Sequence, residues 1–143
     1  MAIFIQVSGV WAGDDKETAK KRALCEKGNS TACFQMGERY RMIEKDNKGA
    51  IEFYVKACDS GYMTGCTNGG ILTIMRGTPY SKEFKQARKM FTKACDAGED
   101  PSCFNLGTLN YKEGRQKKAL QFYLKACDMG NGAGCAKHKR LSR

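Results

Sequence analysis

Small and aromatic residues recur at helical spacing along most of the chain, separated by lysine-rich polar positions. Ala50, Tyr54 and Ala57-Cys58 form one set, and Ala87, Phe91 and Ala94-Cys95 a second. Ala119, Tyr123 and Ala126-Cys127 form a third. A 3.6-residue period puts each set on one helix face, with small residues where a neighbouring helix approaches closely. A glycine follows each of these cysteines by three positions, well placed to end the helix in a left-handed conformation. The next helix is expected to open near Ser30-Thr31, Thr64, Asp100-Pro101-Ser102 or Asn131, residue types that cap or start helices. This second helix type carries Met36-Gly37 or Leu106-Gly107 and runs on to Tyr40 or Tyr111. A further glycine, Gly77 or Gly114, is expected to end it.

These helices belong to a repeat. The cysteines stand at 25 and 33, 58 and 66, 95 and 103, and 127 and 135, eight positions apart in every pair. The first members recur at intervals of 33, 37 and 32, a period that marks a helical-repeat array. The frame Lys-Ala-Cys-Asp-x-Gly begins at Lys56, Lys93 and Lys125. Four positions past the second cysteine stand Gly37, Gly70 and Gly107, with Lys139 in the last copy. The first copy has Lys21 in place of the aromatic and Glu44 in place of Gly77 or Gly114, so the end copies read as degenerate caps.

The Ala-aromatic-Ala helix followed by Leu-Gly-x-x-aromatic resembles the Sel1-like repeats, relatives of the tetratricopeptide repeats. The Cys-x7-Cys in every unit is similar to the cysteine-rich branch of that family, the Hcp (beta-lactamase hcp-like) proteins. The resemblance covers roughly residues 14 to 137. It implies an all-α fold, an α/α solenoid of helix-turn-helix repeats, each unit holding one disulfide. It also implies a secreted or periplasmic bacterial protein, in a family classed among penicillin-binding proteins and beta-lactamases.

Three roles for the cysteines can be weighed on the residues. Zinc sites favour clusters such as Cys-x2-Cys, and with one histidine in the chain mixed sites lack ligands, so no metal is expected. Buried free thiols pack well but leave the constant spacing unexplained. Disulfides account for spacing and pairing together: Cys25–Cys33, Cys58–Cys66, Cys95–Cys103 and Cys127–Cys135. Helices folding back over a short loop would bring their Cα atoms to about 5 to 6 Å. Such bridges persist in oxidising compartments. Residues 2 to 12 are uncharged and end in Val10-Trp11-Ala12, as a signal peptide and its cleavage site would, although no basic residue precedes Lys16. The chain therefore divides into an apolar segment or remnant signal at 1–12, four cysteine-containing units at 13–137, and a basic tail at 138–143.

Composition narrows the function. The chain of 143 residues carries 25 Lys and Arg against 15 Asp and Glu, a net charge of +10 that favours anionic partners. Seven basic residues stand against Asp128 within 116–143. No run approaches the roughly 18 apolar residues of a membrane span. The six serines (8, 30, 60, 81, 102 and 142) are nowhere followed three positions later by lysine, so the Ser-x-x-Lys of a serine beta-lactamase is not found. His138 stands alone in a basic tail, and no cofactor is expected.

Stacked helix pairs curve and form a concave face. On tetratricopeptide geometry that face would carry Phe34, Glu38, Arg41, Thr67, Ile71, Phe104, Thr108, Tyr111 and Lys112. Phe34, Arg41, Thr67, Phe104, Tyr111 and Lys112 are the candidate ligand-binding residues. Aromatic, hydroxyl and basic groups together suit an extended peptide bearing a carboxylate, a peptidoglycan fragment or beta-lactam, or a protein partner. Nucleic acid is not an expected partner, and the chain is expected to act as a monomer. The leading reading is a binding scaffold; the alternative, implied by the family resemblance, is a penicillin-binding protein with weak beta-lactam hydrolysis.

Overall fold

The computed structural model describes residues 15–143. The expected signal segment at 1–12 lies outside the described residues. Eight helices follow one another: α1 Lys16–Glu26, α2 Ser30–Met42, α3 Asn47–Asp59, α4 Met63–Ile74, α5 Lys82–Asp96, α6 Asp100–Lys112, α7 Gln116–Asp128 and α8 Gly132–Leu141. No strand occurs among the described residues. Each helix packs against the next, and α4 also touches α2 and α6, so the even-numbered helices line one face of an α/α solenoid.

The three sequence sets form its core. Ala50, Tyr54, Ala57, Ala87, Phe91, Ala94, Ala119, Tyr123 and Ala126 are each at most 1% exposed. The aromatic rings of α3, α5 and α7 each lie on the glycine of the even helix before them. A Cβ added at Gly37, Gly70 or Gly107 would stand 2.6 Å from Tyr54, Phe91 or Tyr123 respectively. Burying each ring contributes roughly 2 to 3 kcal/mol, and only a glycine lets the helices come this close.

Each odd-to-even connection is one tight device. Gly61 takes φ +98, its N–H donates to the Cys58 carbonyl, and the Tyr62 N–H donates to the Ala57 carbonyl. Gly28, Gly98 and Gly130 make the same paired bonds, a Schellman ending that answers carbonyls the helix leaves open. The cysteines pair as Cys25–Cys33, Cys58–Cys66, Cys95–Cys103 and Cys127–Cys135. Their Cα separations of 4.5 to 4.8 Å are shorter than the expected 5 to 6 Å. The Schellman turn and the bridge hold the same two helix ends together.

Some boundaries differ from the sequence expectation. Asn29, not Ser30 or Thr31, caps α2, its side chain accepting from the Ala32 N–H, while Ser30 is already helical. Tyr62 and Glu99 precede α4 and α6 without a side-chain cap bond. Asn131 caps α8, and Pro101 stands in the first turn of α6, both as expected. Helix α4 ends at Ile74, ahead of Gly77, where a Cβ would collide with Glu83. In the first unit Lys45 takes the left-handed conformation near the position where glycine was expected. Helix α8 continues to Leu141 and absorbs most of the anticipated tail.

The long 37-residue interval comes from the connection 75–81, longer than those at 43–46 and 113–115, and from a longer α5 ahead of Cys95. The connection is tied down from α6: the Tyr80 N–H donates to Glu113 Oε1 at 3.2 Å, and the Tyr80 hydroxyl donates to the Glu113 carbonyl. The Glu113 side chain is 3% exposed and pairs with Arg88 and, at 3.2 Å, with Arg115.

Candidate functional site

Helix α2 presents Phe34, Glu38 and Arg41, and α4 presents Asn68 and Ile71 beside them, with Met75 just past its end. Glu38 is the hub. It accepts from the Tyr54 hydroxyl, from Arg41 Nη2 at 3.1 Å and from Asn68 Nδ2 at 3.4 Å. Arg41 Nε also donates to the Tyr54 hydroxyl at 3.1 Å. Burial works to raise the Glu38 pKa, but the hydrogen bonds from Tyr54 and Arg41 outweigh it and hold the carboxyl below its ordinary range. Burial, then the bond to Glu38, pushes the Tyr54 phenol up to about 12. At neutral pH the cluster is therefore an ionised carboxylate, a guanidinium and a neutral phenol, balanced in charge.

Next to this cluster opens a cleft of about 540 Å³ lined by Arg41, Asn47, Asn68, Ile71, Leu72 and Met75. Leu72 is buried, while Ile71 is 37% and Met75 71% exposed. Ile71, Leu72 and Met75 give the cleft its apolar lining, and Arg41, Asn47 and Asn68 give it a polar one. Arg41 is balanced there by Glu38, and none of the six lining side chains is a nucleophile.

The candidate residues do not all gather there. Arg41 reaches the cleft. Phe34 stacks on Tyr62, ring centroids 4.6 Å apart, and also leans on Tyr54. Thr67 is 6% exposed, its hydroxyl bonded to Ser102 Oγ at 2.8 Å, so it joins α4 to α6. Phe104 packs on Tyr123. Tyr111 and Lys112 are exposed on α6, one unit further along. Sequence reasoning missed Asn47, Asn68, Leu72 and Met75. A signal for two of them was present: the second-cysteine-plus-two position reads Gln35, Asn68, Asn105, and plus-nine reads Met42, Met75, Lys112.

The family model of the Sel1 repeat matches residues 30–62, 70–99 and 100–131. The chain belongs to the Sel1 repeat family. The first and third spans each take a whole even helix and the odd helix after it, and the second takes the end of α4 from Gly70 and all of α5, so every span holds the glycine and the ring that interlock. Among solved structures, a protective antigen of uropathogenic Escherichia coli displaying an SLR fold is 27% identical with a TM-score of 0.71. The alignment covers 85% of this chain and 27% of that one, so this Sel1 repeat protein spans about a quarter of that antigen. A Sel1 repeat protein from Oxalobacter formigenes is 20% identical, with a TM-score of 0.64 over 88% and 99% of the two chains. Cysteine-rich protein B of Helicobacter pylori is 22% identical, with a TM-score of 0.56 over 87% and 98%. No curated protein matches the sequence.

Proposed function

We propose that this Sel1 repeat protein is an extracytoplasmic binding scaffold that holds an extended peptide segment of a partner protein across α2, α4 and α6. The cleft at Arg41, Asn68, Ile71, Leu72 and Met75 carries the reading. Its apolar lining accepts one apolar side chain, and its polar lining donates to the backbone carbonyls beside it. Because Glu38 already balances Arg41, the cleft favours a neutral segment over the carboxylate-bearing peptide anticipated from sequence. Four bridges in one short chain support an oxidising compartment, whether the periplasm or the exterior.

An array of short synthetic peptides tests this. Peptides with an apolar residue at the centre should bind, and Ile71→Asp or Met75→Asp should abolish capture while Lys85→Asp leaves it intact. Capture that ignores both cleft variants would overturn the proposal. Beta-lactam hydrolysis is the competing reading, and the charge-balanced cluster does not favour it. Turnover of a chromogenic beta-lactam that disappears in Arg41→Ala, Tyr111→Ala or Lys112→Ala would reinstate it.

A further inference from the structure

The basic C-terminal stretch becomes a defined surface in the folded chain. Helices α7 and α8 form an antiparallel hairpin, and Gln116 Nε2 donates to the Leu141 carbonyl at 3.4 Å. The first turn of α7 therefore lies beside the last turn of α8. That juxtaposition collects Lys117, Lys118, Lys137, Lys139, Arg140 and Arg143 at one end of the molecule. Arg115 stands with them but is committed to Glu113.

None of the six forms an ion pair among the described residues. The two acids close in sequence do not neutralise them: Glu113 is taken by Arg88 and Arg115, and Asp128 lies at the opposite end of α7. Five of the six are exposed and Lys137 is half-buried. Folding explains only part of the arrangement. Lys139 and Arg140 complement the carboxyl end of α8, but Lys117 and Lys118 occupy the first turn of α7, where the helix dipole favours acids. Two cations placed against the local helix preference, facing four more on the neighbouring helix and tail, point outward to an anionic partner.

We propose that this end of the solenoid docks on an anionic phospholipid surface. The charges fan over two helix ends rather than lining a single slot. Each element carries its own open depression, of about 500 Å³ at Gly114–Lys118 and about 230 Å³ at Ala133, Ala136, Lys137 and Arg140. An array of separate point charges, four of them lysines, matches a plane of phosphates better than one acidic chain, which would need a groove. The α2–α4 cleft lies toward the other end of the array, so a docked molecule would keep it free. This inference does not depend on the peptide reading of the cleft.

Vesicle co-sedimentation of the full chain decides it, using phosphatidylcholine with and without phosphatidylglycerol, at low and high salt. The wild type should bind only the phosphatidylglycerol vesicles and lose them as salt rises. Each cation near such a surface is worth roughly fivefold in partitioning, so K137Q/K139Q/R140Q should bind about a hundredfold more weakly. The triple variant K20Q/K85Q/K89Q removes the same net charge elsewhere and should keep most of the binding. Equal losses in the two triples would mean that net charge alone acts, and would overturn the docking surface. So would failure to bind vesicles while polyglutamate or duplex DNA is bound. Far-ultraviolet circular dichroism on both variants confirms that the helices persist.

Discussion

Replacing Gly107 by alanine tests the packing of the whole array at one atom. The new Cβ would lie 2.6 Å from Tyr123 Cδ1 and 2.7 Å from Cε1, where carbon atoms need about 3.5 to 4 Å. The ring has no room to retreat. Tyr123 is 1% exposed, Phe104 packs on it with centroids 5.4 Å apart, and its hydroxyl is bonded to Thr108 Oγ1 at 3.2 Å. Helices α6 and α7 must therefore separate by about an ångström, an overpacking cost of roughly 1 to 3 kcal/mol. Two ring carbons conflict at once, which places the cost near the upper end. Alanine returns about 1 kcal/mol in helix propensity over glycine. The net loss should be about 2 kcal/mol, or roughly 8 °C in thermal midpoint for a chain of this size. The assay is thermal and urea denaturation of Gly107→Ala in wild-type and Tyr123→Leu backgrounds. With the ring gone, the same alanine should be neutral or stabilising. A wild-type midpoint that does not fall, or an equal cost in both backgrounds, would refute the ring-on-glycine account.

Three further outcomes are expected. Replacing Cys58 and Cys66 together by serine should cost about 2.5 kcal/mol from loop closure, while non-reducing peptide mapping still finds the other three bridges. Glu38→Gln should be less stable than the wild type at neutral pH. The Glu38 carboxyl is held below its ordinary value of 4.5, so the stability it provides is present above that pH and lost as pH falls through its folded value. The gap between the two proteins, read by denaturation across pH, should therefore close in acid; a constant gap would show that charge is not its source. Glu113→Ala strips Arg88 and Arg115 of their buried partner and should cost roughly 2 to 3 kcal/mol, less than a fully buried pair because both arginines reach solvent. Hydrogen exchange should then rise first in residues 75–81.

Features that repeat were legible in the sequence. The helix faces, the glycine endings and the four cysteine pairs each recur in one frame, and recurrence separates signal from chance at Ala50, Gly61 or Cys58 where a single copy would not. Features that occur once were not legible. The ion cluster at Glu113 joins three segments distant in sequence, and only the extra length of one interval hinted that something held the 75–81 connection. Thr67 sits at the position of Phe34 and Phe104, yet its hydroxyl turns to Ser102, a partner set by the α4–α6 contact. The Glu38 network is an intermediate case. The position of Glu38 reads glutamate, isoleucine and threonine where the opposing ring reads Tyr54, Phe91 and Tyr123, so a polar group accompanies each phenol and isoleucine accompanies the ring without one. Tyr123 bonds Thr108 just as Tyr54 bonds Glu38. Aligning the units on both positions at once would have revealed the pairing.

All four bridges close odd-to-even connections, while the even-to-odd connections carry none and differ in length. Tension applied to the ends of the chain would therefore meet alternating joints, one kind locked covalently and the other held by side chains alone. At about 3.5 Å per residue, each eight-residue bridge withholds roughly 23 Å of extension until it is reduced. Stretched under oxidising conditions, the protein would lengthen in steps as even helices peel from the odd helices that follow them. Its final contour would fall roughly 90 Å short of the reduced chain. A tether built this way has a reach set by the redox state of its surroundings.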